Sequence, residues 1–458
     1  MTPTVLLVAA LLVAFGACAV QLHKAHGYLT YPLLVGVFYL AWMAPQLLSV
    51  MADPLVPAGG LWSLCLMVLL SLLAVLAGWS LGCKQAMHGL NRGGRAIPPR
   101  PSDQALVWPA AALTAVAIGA RVMLAGMRLD PELTSQWSGP IVIVVTIAGI
   151  RIIPLFLSLV LVLRRRTPLT IALAATNLAL SGSFAFIDIG RSETIDLALV
   201  SFLALWFARR IRIGLPLLAA GGVAVGIFVF TVGEFRSAAA DNYEMTGERV
   251  SIFNPVIWKS IDFEEASARA AEGAPDVRNA VYLMNYRQAD GGYTFGARFW
   301  DDLVFRWVPA QIVGRQTKAA LMFEKDQQAV YETIRNQYNY QRIGGTTSTG
   351  FGIAYSEFWF FGALLFGVYA WFAGRWWTLG SHGDLWAQVM YAATLGSGLV
   401  AFTHNVYWAW LIMPLLLAGL AFVKLWIWAV SPHSPGARRR RHADPLIPGH
   451  SLQGARLR

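Results

Sequence analysis

The chain has 458 residues, of which 56% are hydrophobic and 13% charged, with a mean hydropathy of +0.53 and a formal net charge of +11. Such apolarity excludes an ordinary soluble domain. The positive charge is scattered in short segments between apolar runs, which excludes the continuous basic face that a nucleic-acid partner requires.

Runs of about 18 or more apolar residues predict membrane-crossing helices, because a segment without water must satisfy its own backbone polar groups. Eleven runs qualify, at roughly 2–21, 28–50, 60–82, 105–126, 139–162, 168–187, 192–208, 214–232, 351–373, 385–403 and 406–430. The expected fold class is an all-α polytopic membrane protein with one large, mainly helical outer loop. Its parts are a membrane bundle of about eight helices (1–232), a loop domain (233–350), about three further helices (351–430) and a basic tail (431–458). The run at 192–208 is short enough to be tilted or re-entrant.

The loop holds 15 of the 25 acidic residues but only 13 of the 36 Lys and Arg. Basic residues gather instead at Lys24, at Lys84, Arg92, Arg95 and Arg100, at Arg164 to Arg166, at Arg209, Arg210 and Arg212, at Arg375, and at Arg438 to Arg441. Eleven crossings put all these segments on one side, which the positive-inside rule makes the cytoplasm. The N-terminus and the 127–138 and 233–350 loops then lie outside, and the C-terminus inside. Cys18, Cys65 and Cys83 lie in or beside apolar runs, so no outer-loop disulfide or CxxC metal spacing is expected. Residues 1–21 lack a basic start and a clear cleavage site, and are read as a retained helix.

In chain order, the first three helices carry almost no charge and read as scaffold. Residues 83–104, with Gly-Gly and Pro-Pro pairs, read as a cytoplasmic loop. Arg121, near a helix end, reads as snorkelling to the interface. Arg151 falls midway along its helix, where a charge costs at least about 2.5–3.5 kcal/mol, so it should face a polar cavity or a partner. The sequence leaves it between an ion pair with Asp188 or Glu193 and a substrate contact. Ser181-Gly-Ser through Asp188, Arg191 and Glu193 joins two helices, and Arg191 at a helix N-terminus is suited to an anion unless it pairs with those carboxylates.

Within the loop, Asn279 to Ala289 and Lys318 to Tyr340 have helical character. On a helix, Arg298, Asp302 and Arg306 share one face at i, i+4 and i+8. Phe299, Trp300, Phe305 and Trp307 suit either the membrane surface or sugar rings, and the tract also suits an interfacial amphipathic helix. Gly344 to Gly350 then leads into the ninth span, which carries Glu357 about two turns in. That carboxylate is either a proton acceptor or the partner of one of the arginines. His404, at the outer end of the tenth span, is a second candidate base.

The order of these parts resembles bacterial oligosaccharide repeat-unit polymerases, the Wzy-type O-antigen and exopolysaccharide polymerases. Ser181-Gly-Ser with Gly190-Arg191 is similar to a small-residue-plus-Arg motif of that family. Tyr293-Thr-Phe-Gly296 through Arg306-Trp-Val-Pro309 to Lys318 is similar to its outer-loop tract. Thr347-Ser-Thr-Gly350 with Glu357 and Gly362 is similar to its return into the membrane. The likeness is best over 181–362 and departs at Pro309, where Ala310 stands in place of Arg, so that the family arginine falls on Arg315 or Arg306.

The resemblance implies inverting, metal-independent glycosyl transfer at the outer face of a bacterial inner membrane, with no cofactor. The partners implied are a polyprenyl-diphosphate-linked glycan as donor, a second lipid-linked repeat unit as acceptor, membrane lipids, a chain-length regulator and a flippase. Arg191, Arg298, Arg306, Arg315 and Arg151 would meet the pyrophosphate, since guanidinium supplies bidentate charge where no metal does. Tyr293, Trp300 and Trp307 would meet sugars, and Glu357 or His404 would activate the acceptor hydroxyl. An O-antigen ligase is the nearest alternative, but ligases of that kind carry a His in the large outer loop, and 233–350 has none. A lipid-linked glycan flippase is the other, though the chain lacks the repeated halves expected of a transporter.

Overall fold

The computed structural model describes residues 2–430 apart from 24–28, 93–96, 98–99, 128–139, 188–190, most of 210–253, 262–263, 265–273, 309–312, 324–326 and 343–345. It is helical and has no strands among the described residues. Nine described helices are long and apolar enough to cross a membrane: α1 (Pro3–His23), α2 (Tyr31–Met51), α3 (Ala58–Asn91), α4 (Asp103–Gly126), α5 (Ile143–Arg164), α6 (Pro168–Phe186), the stretch Thr349–Ser381, and two more at Leu385–Thr403 and Trp408–Val430. The protein is an all-α polytopic membrane protein.

The eleven expected crossings and the nine described helices differ at two runs. The run at 192–208 forms helix α7 (Arg191–Arg209), which packs on α5 and on Leu385–Thr403. With Arg191, Glu193, Asp196 and Arg209 in it, α7 is not among the nine helices apolar enough to span by composition. The run at 214–232 lies almost wholly outside the described residues, as do Asp188, Gly190, Pro309, Ala310 and the tail with Arg438 to Arg441.

The loop supplies α8 (Pro255–Ser260), α9 (Pro275–Asp290), α10 (Ala297–Trp307), α11 (Arg315–Ala320) and α12 (Gln327–Tyr338). The ninth expected span is two pieces, α13 (Thr349–Phe358) and α14 (Ala363–Ser381), joined by a short 3-10 turn at Trp359–Gly362. Trp359 adopts φ 53 and ψ −143, so the helix stops there although no proline interrupts the apolar run. The last two described helices are α15 (Leu385–Thr403) and α16 (Trp408–Val430).

Sequence-local reasons for these starts are visible. Ser102 caps α4 by accepting from the Ala105 amide at 3.3 Å, Thr167 and Thr170 form a capping box before Pro168, and Asp384 accepts from the Trp386 and Ala387 amides to begin α15. Each supplies an acceptor to amides that a helix start leaves without carbonyl partners.

Helices α3 and α14 run side by side in the same direction. A Cβ on Gly78 would stand 2.0 Å from the Gly367 carbonyl oxygen, and one on Gly82 would stand 2.1 Å from that of Trp371. Small residues let the two backbones touch, the contact on which helix pairs in lipid depend. An aromatic box follows where α3, α7, α14 and α15 meet: Trp206 stacks on Trp377 at 4.7 Å, and Tyr391 lies 5.2 Å from Trp377.

The two ends of the bundle differ in chemistry. At one end Arg164 pairs with Asp103 at 3.7 Å, Arg375 donates to Gln85 at 3.2 Å and Lys424 lies over Trp386 at 5.0 Å. At the other, the turn between α2 and α3 holds the loop helices, with Arg278 to Asp53 at 2.9 Å and Tyr282 donating to the Leu55 carbonyl at 3.0 Å. Helix α9 then lies close on α3, since a Cβ on Gly60 would meet the Val281 carbonyl. The loop domain therefore sits on the end opposite Arg164 and Arg375.

Candidate functional site

The break after Phe358 creates the site. A helix end leaves its last carbonyls without intrahelical donors. The loop answers this directly: the Thr294 amide donates to the Ser356 carbonyl at 3.1 Å and the Phe295 amide to that of Glu357 at 2.9 Å. The next amide, of Gly296, donates to the Glu357 carboxylate at 2.6 Å. Gly296 is the N-cap of α10, so this carboxylate lies at a helix start, where negative charge is stabilised. Glu357 is 0% exposed.

Glu357 and Ser356 line a small cavity of about 10 Å³, room for a single water, with Arg298, Arg287, Leu283, Val330 and Tyr331. The Arg287 Nη1 donates to the Gly292 carbonyl at 2.6 Å, and Tyr331 shares a hydrogen with Ser348 at 2.7 Å. The Arg298 Nε is buried and makes no hydrogen bond among the described residues. The Tyr407 hydroxyl lies within the field of Glu357, Arg298 and Asp302. Of the sequence-derived candidates, Glu357 and Arg298 are thus brought together.

The expected face of α10 is partly realised. Arg298 lines the pocket and Asp302, one turn on, accepts from the Asn405 side chain at 2.8 Å. Phe299 packs on Tyr407 with ring centroids 4.6 Å apart, and the Trp307 indole donates to the Leu411 carbonyl at 3.3 Å. Trp300 points the other way, half-exposed, its indole donating to the Leu321 carbonyl at 2.8 Å. Tyr293 meets Tyr355 edge-on at 5.8 Å, and burial followed by that neighbour pushes its phenol above the ordinary range. Lys318 donates to the Phe305 carbonyl at 2.7 Å, in the last turn of α10, and burial lowers its ammonium from the usual value.

Arg306, Arg315 and Arg191 lie on α10, at the start of α11 and at the start of α7, and their side chains fall outside the described residues. His404 ends α15, exposed, its Nδ1 2.6 Å from the Thr403 hydroxyl, and it does not line the Glu357 pocket. Nearby, Thr347 is bonded to Asp276 and to the Thr403 carbonyl, and Asn279 holds Thr346 at 2.8 Å, so the return segment is fixed against α9 and α15.

Arg151 belongs to a second cluster inside the bundle. Its guanidinium lies 4.4 Å from the centroid of Phe184, and that of Arg121 lies 4.6 Å from the same ring. Phe184 stands in a π-turn, Ser183–Ile187, that ends α6. Arg121 thus also meets an aromatic face, which attracts a cation. Asp196, a turn beyond Glu193, is in electrostatic contact with Arg151. Of the partners expected from sequence, Asp188 lies outside the described residues, and Glu193 accepts from Ser192 at 2.9 Å.

Sequence reasoning missed Arg287, Tyr407 and Asp196. For Asp196 a signal existed: a carboxylate within an apolar run carries the same insertion cost as Arg151. Arg287, at the end of a mixed-polarity helix before Gly291-Gly292, had none. No protein-family model, curated protein or solved structure matches the chain.

Proposed function

We propose that the chain is a glycosyltransferase that polymerises polyprenyl-diphosphate-linked oligosaccharide repeat units by an inverting, metal-independent reaction at the outer face of a bacterial inner membrane. The observation that carries this reading is the buried Arg298 Nε, which has no hydrogen-bond partner among the described residues and faces a water-sized cavity that also holds a fully buried carboxylate. Buried donors are satisfied as a rule, so an unmet one marks a place for an acceptor oxygen. A phosphate-bearing headgroup at the membrane surface supplies such oxygens.

In the proposed reaction the acceptor hydroxyl oxygen attacks the anomeric carbon of the donor's reducing-end sugar. The bond from that carbon to the diphosphate breaks, and polyprenyl diphosphate leaves with the electron pair. Arg298 and Arg287 meet the charge that develops on the leaving oxygen, with Arg191, Arg306 and Arg315 assigned by resemblance. Glu357, or His404 from the end of α15, takes the proton of the hydroxyl; a positioned base contributes about 10²–10⁴-fold. Arg151 is bound up with Phe184 and Asp196 and is given a positioning role. The cytoplasmic side is assigned to the end with Arg164 and Arg375, by the positive-inside rule.

Deleting the gene and sizing lipid-linked and surface glycans tests the reading, with complementation by wild type and by Arg298→Ala. Accumulated single repeat units support polymerisation, with Arg298→Ala failing to restore chains. Full-length chains retained on polyprenyl lipid would indicate a ligase, and precursors trapped on the cytoplasmic face a flippase; either result overturns the proposal.

A further inference from the structure

We propose that an aromatic strip on the loop domain is a membrane-docking surface, and that its occupant is the lipid leaflet on the loop side of the bilayer. The strip begins on a surface that is lipid-facing by position. Phe361, Leu364 and Val368 are 68%, 59% and 46% exposed and succeed one another on one side of the ninth span. Phe295 of the loop is tied to that span by the hydrogen bond its amide donates to the Glu357 carbonyl, and Gly296 lies against the Phe358 ring. Phe295 is itself 75% exposed, Trp300 follows on α10, and Phe323, 71% exposed, lies 6.3 Å from the Trp300 ring.

These residues are not an unpacked core face. The inward face of α10 is already used: Phe299 is on Tyr407, Asp302 holds Asn405 and Trp307 bonds Leu411. Trp300 stands apart from that inward face, with exposed Phe295 just before α10 and exposed Phe323 after α11, in a segment otherwise rich in charge. Large exposed apolar side chains in a row mark a surface that meets something apolar. Aromatic rings, and an indole whose N–H has a partner, suit the boundary between headgroups and acyl chains. Continuity with the lipid-facing side of α14 selects the bilayer over a second copy or a soluble partner. The inference stands independently of the polymerase reading.

The test uses the full-length protein in nanodiscs of phosphatidylethanolamine and phosphatidylglycerol. Nitroxide labels go on Phe323→Cys and Phe295→Cys, with Val368→Cys as the lipid reference and Asn336→Cys, on the exposed side of α12, as the aqueous reference. The signal of the wild-type protein, with Cys18 and Cys65 buried and Cys83 half-buried, is subtracted. Power saturation should find both loop labels relaxed more by oxygen than by a water-soluble nickel chelate, with the sign of Val368. Behaviour matching Asn336 would overturn the proposal, and so would exclusion of both relaxers, which signals cover by protein. Should a variant fail to fold, Leu321→Cys, at a position 40% exposed, reads the same strip.

Discussion

Replacing Glu357 by Gln separates its observed anchoring of α10 from the base role proposed for it. The amide is nearly isosteric and still offers an oxygen to the Gly296 N–H, now 2.6 Å from the carboxylate. What it loses is charge. A hydrogen bond to a charged group contributes about 1.5–3 kcal/mol and a neutral one about 0.5–1.5, so the bond weakens by roughly 1 kcal/mol. The favourable site at the start of α10 adds about 0.3–1 kcal/mol. A total near 1–2 kcal/mol leaves the protein folded, with a melting midpoint lowered by a few degrees in a tryptophan-fluorescence scan. Loss of a catalytic base, by contrast, lowers the rate about 10²–10⁴-fold. The initial rate of repeat-unit coupling, measured with purified protein and synthetic lipid-linked substrate, should fall by that much at nearly unchanged stability. A Glu357→Gln protein within tenfold of wild type would refute the base role and leave Glu357 as an anchor for α10. His404→Ala, at an exposed position, would then be the variant to lose activity.

Gly78→Ala should destabilise by about 1–3 kcal/mol or more, because its Cβ would stand 2.0 Å from the Gly367 carbonyl oxygen. Gly89→Ala, on the same helix with nothing within 4 Å, should be neutral or stabilising by up to about 1 kcal/mol; thermal melting compares the two. Arg278→Ala removes the pair to Asp53 at 2.9 Å, worth about 0.2–1 kcal/mol. Amide exchange in Pro275–Asp290 should quicken, and exchanging the two charges should restore protection. Burial, the largest influence on it, pushes the Tyr340 phenol up to about 12. Its ordinary value is about 10. The folded state therefore holds this proton longer, so the associated stability is complete below about pH 10 and is lost as pH rises toward 12. The difference in melting temperature between wild type and Tyr340→Phe should shrink over that interval.

The membrane helices were legible because lipid imposes one rule on every crossing segment: about 20 apolar residues in sequence. Helix α7 blurs that rule through Glu193 and Asp196, which are tolerated where α5 and α15 surround the helix. The break at Trp359 was not legible. Phe358-Trp-Phe-Phe is as apolar as its surroundings, and the turn is held by amides from residues more than sixty positions earlier. The same distance explains the site. Glu357 and Arg298 each stood out, one as a carboxylate in a span and the other on a patterned helix face. Arg287 and Tyr407 join them only through packing of α9, and of the turn before α16, near α13, which no local pattern encodes.

The backbone bonds from Thr294 and Phe295 to the end of α13 have a bearing on biogenesis. A membrane segment normally completes its own hydrogen bonding and can enter lipid as soon as it is made. The first piece of the ninth apolar stretch borrows two donors from a segment synthesised earlier. Placement of the loop beside the bundle must therefore precede seating of α13. Grafting another protein's loop between α7 and α13 would leave those carbonyls bare in a low-dielectric setting, so the loop and the helix that follows it form one inherited unit.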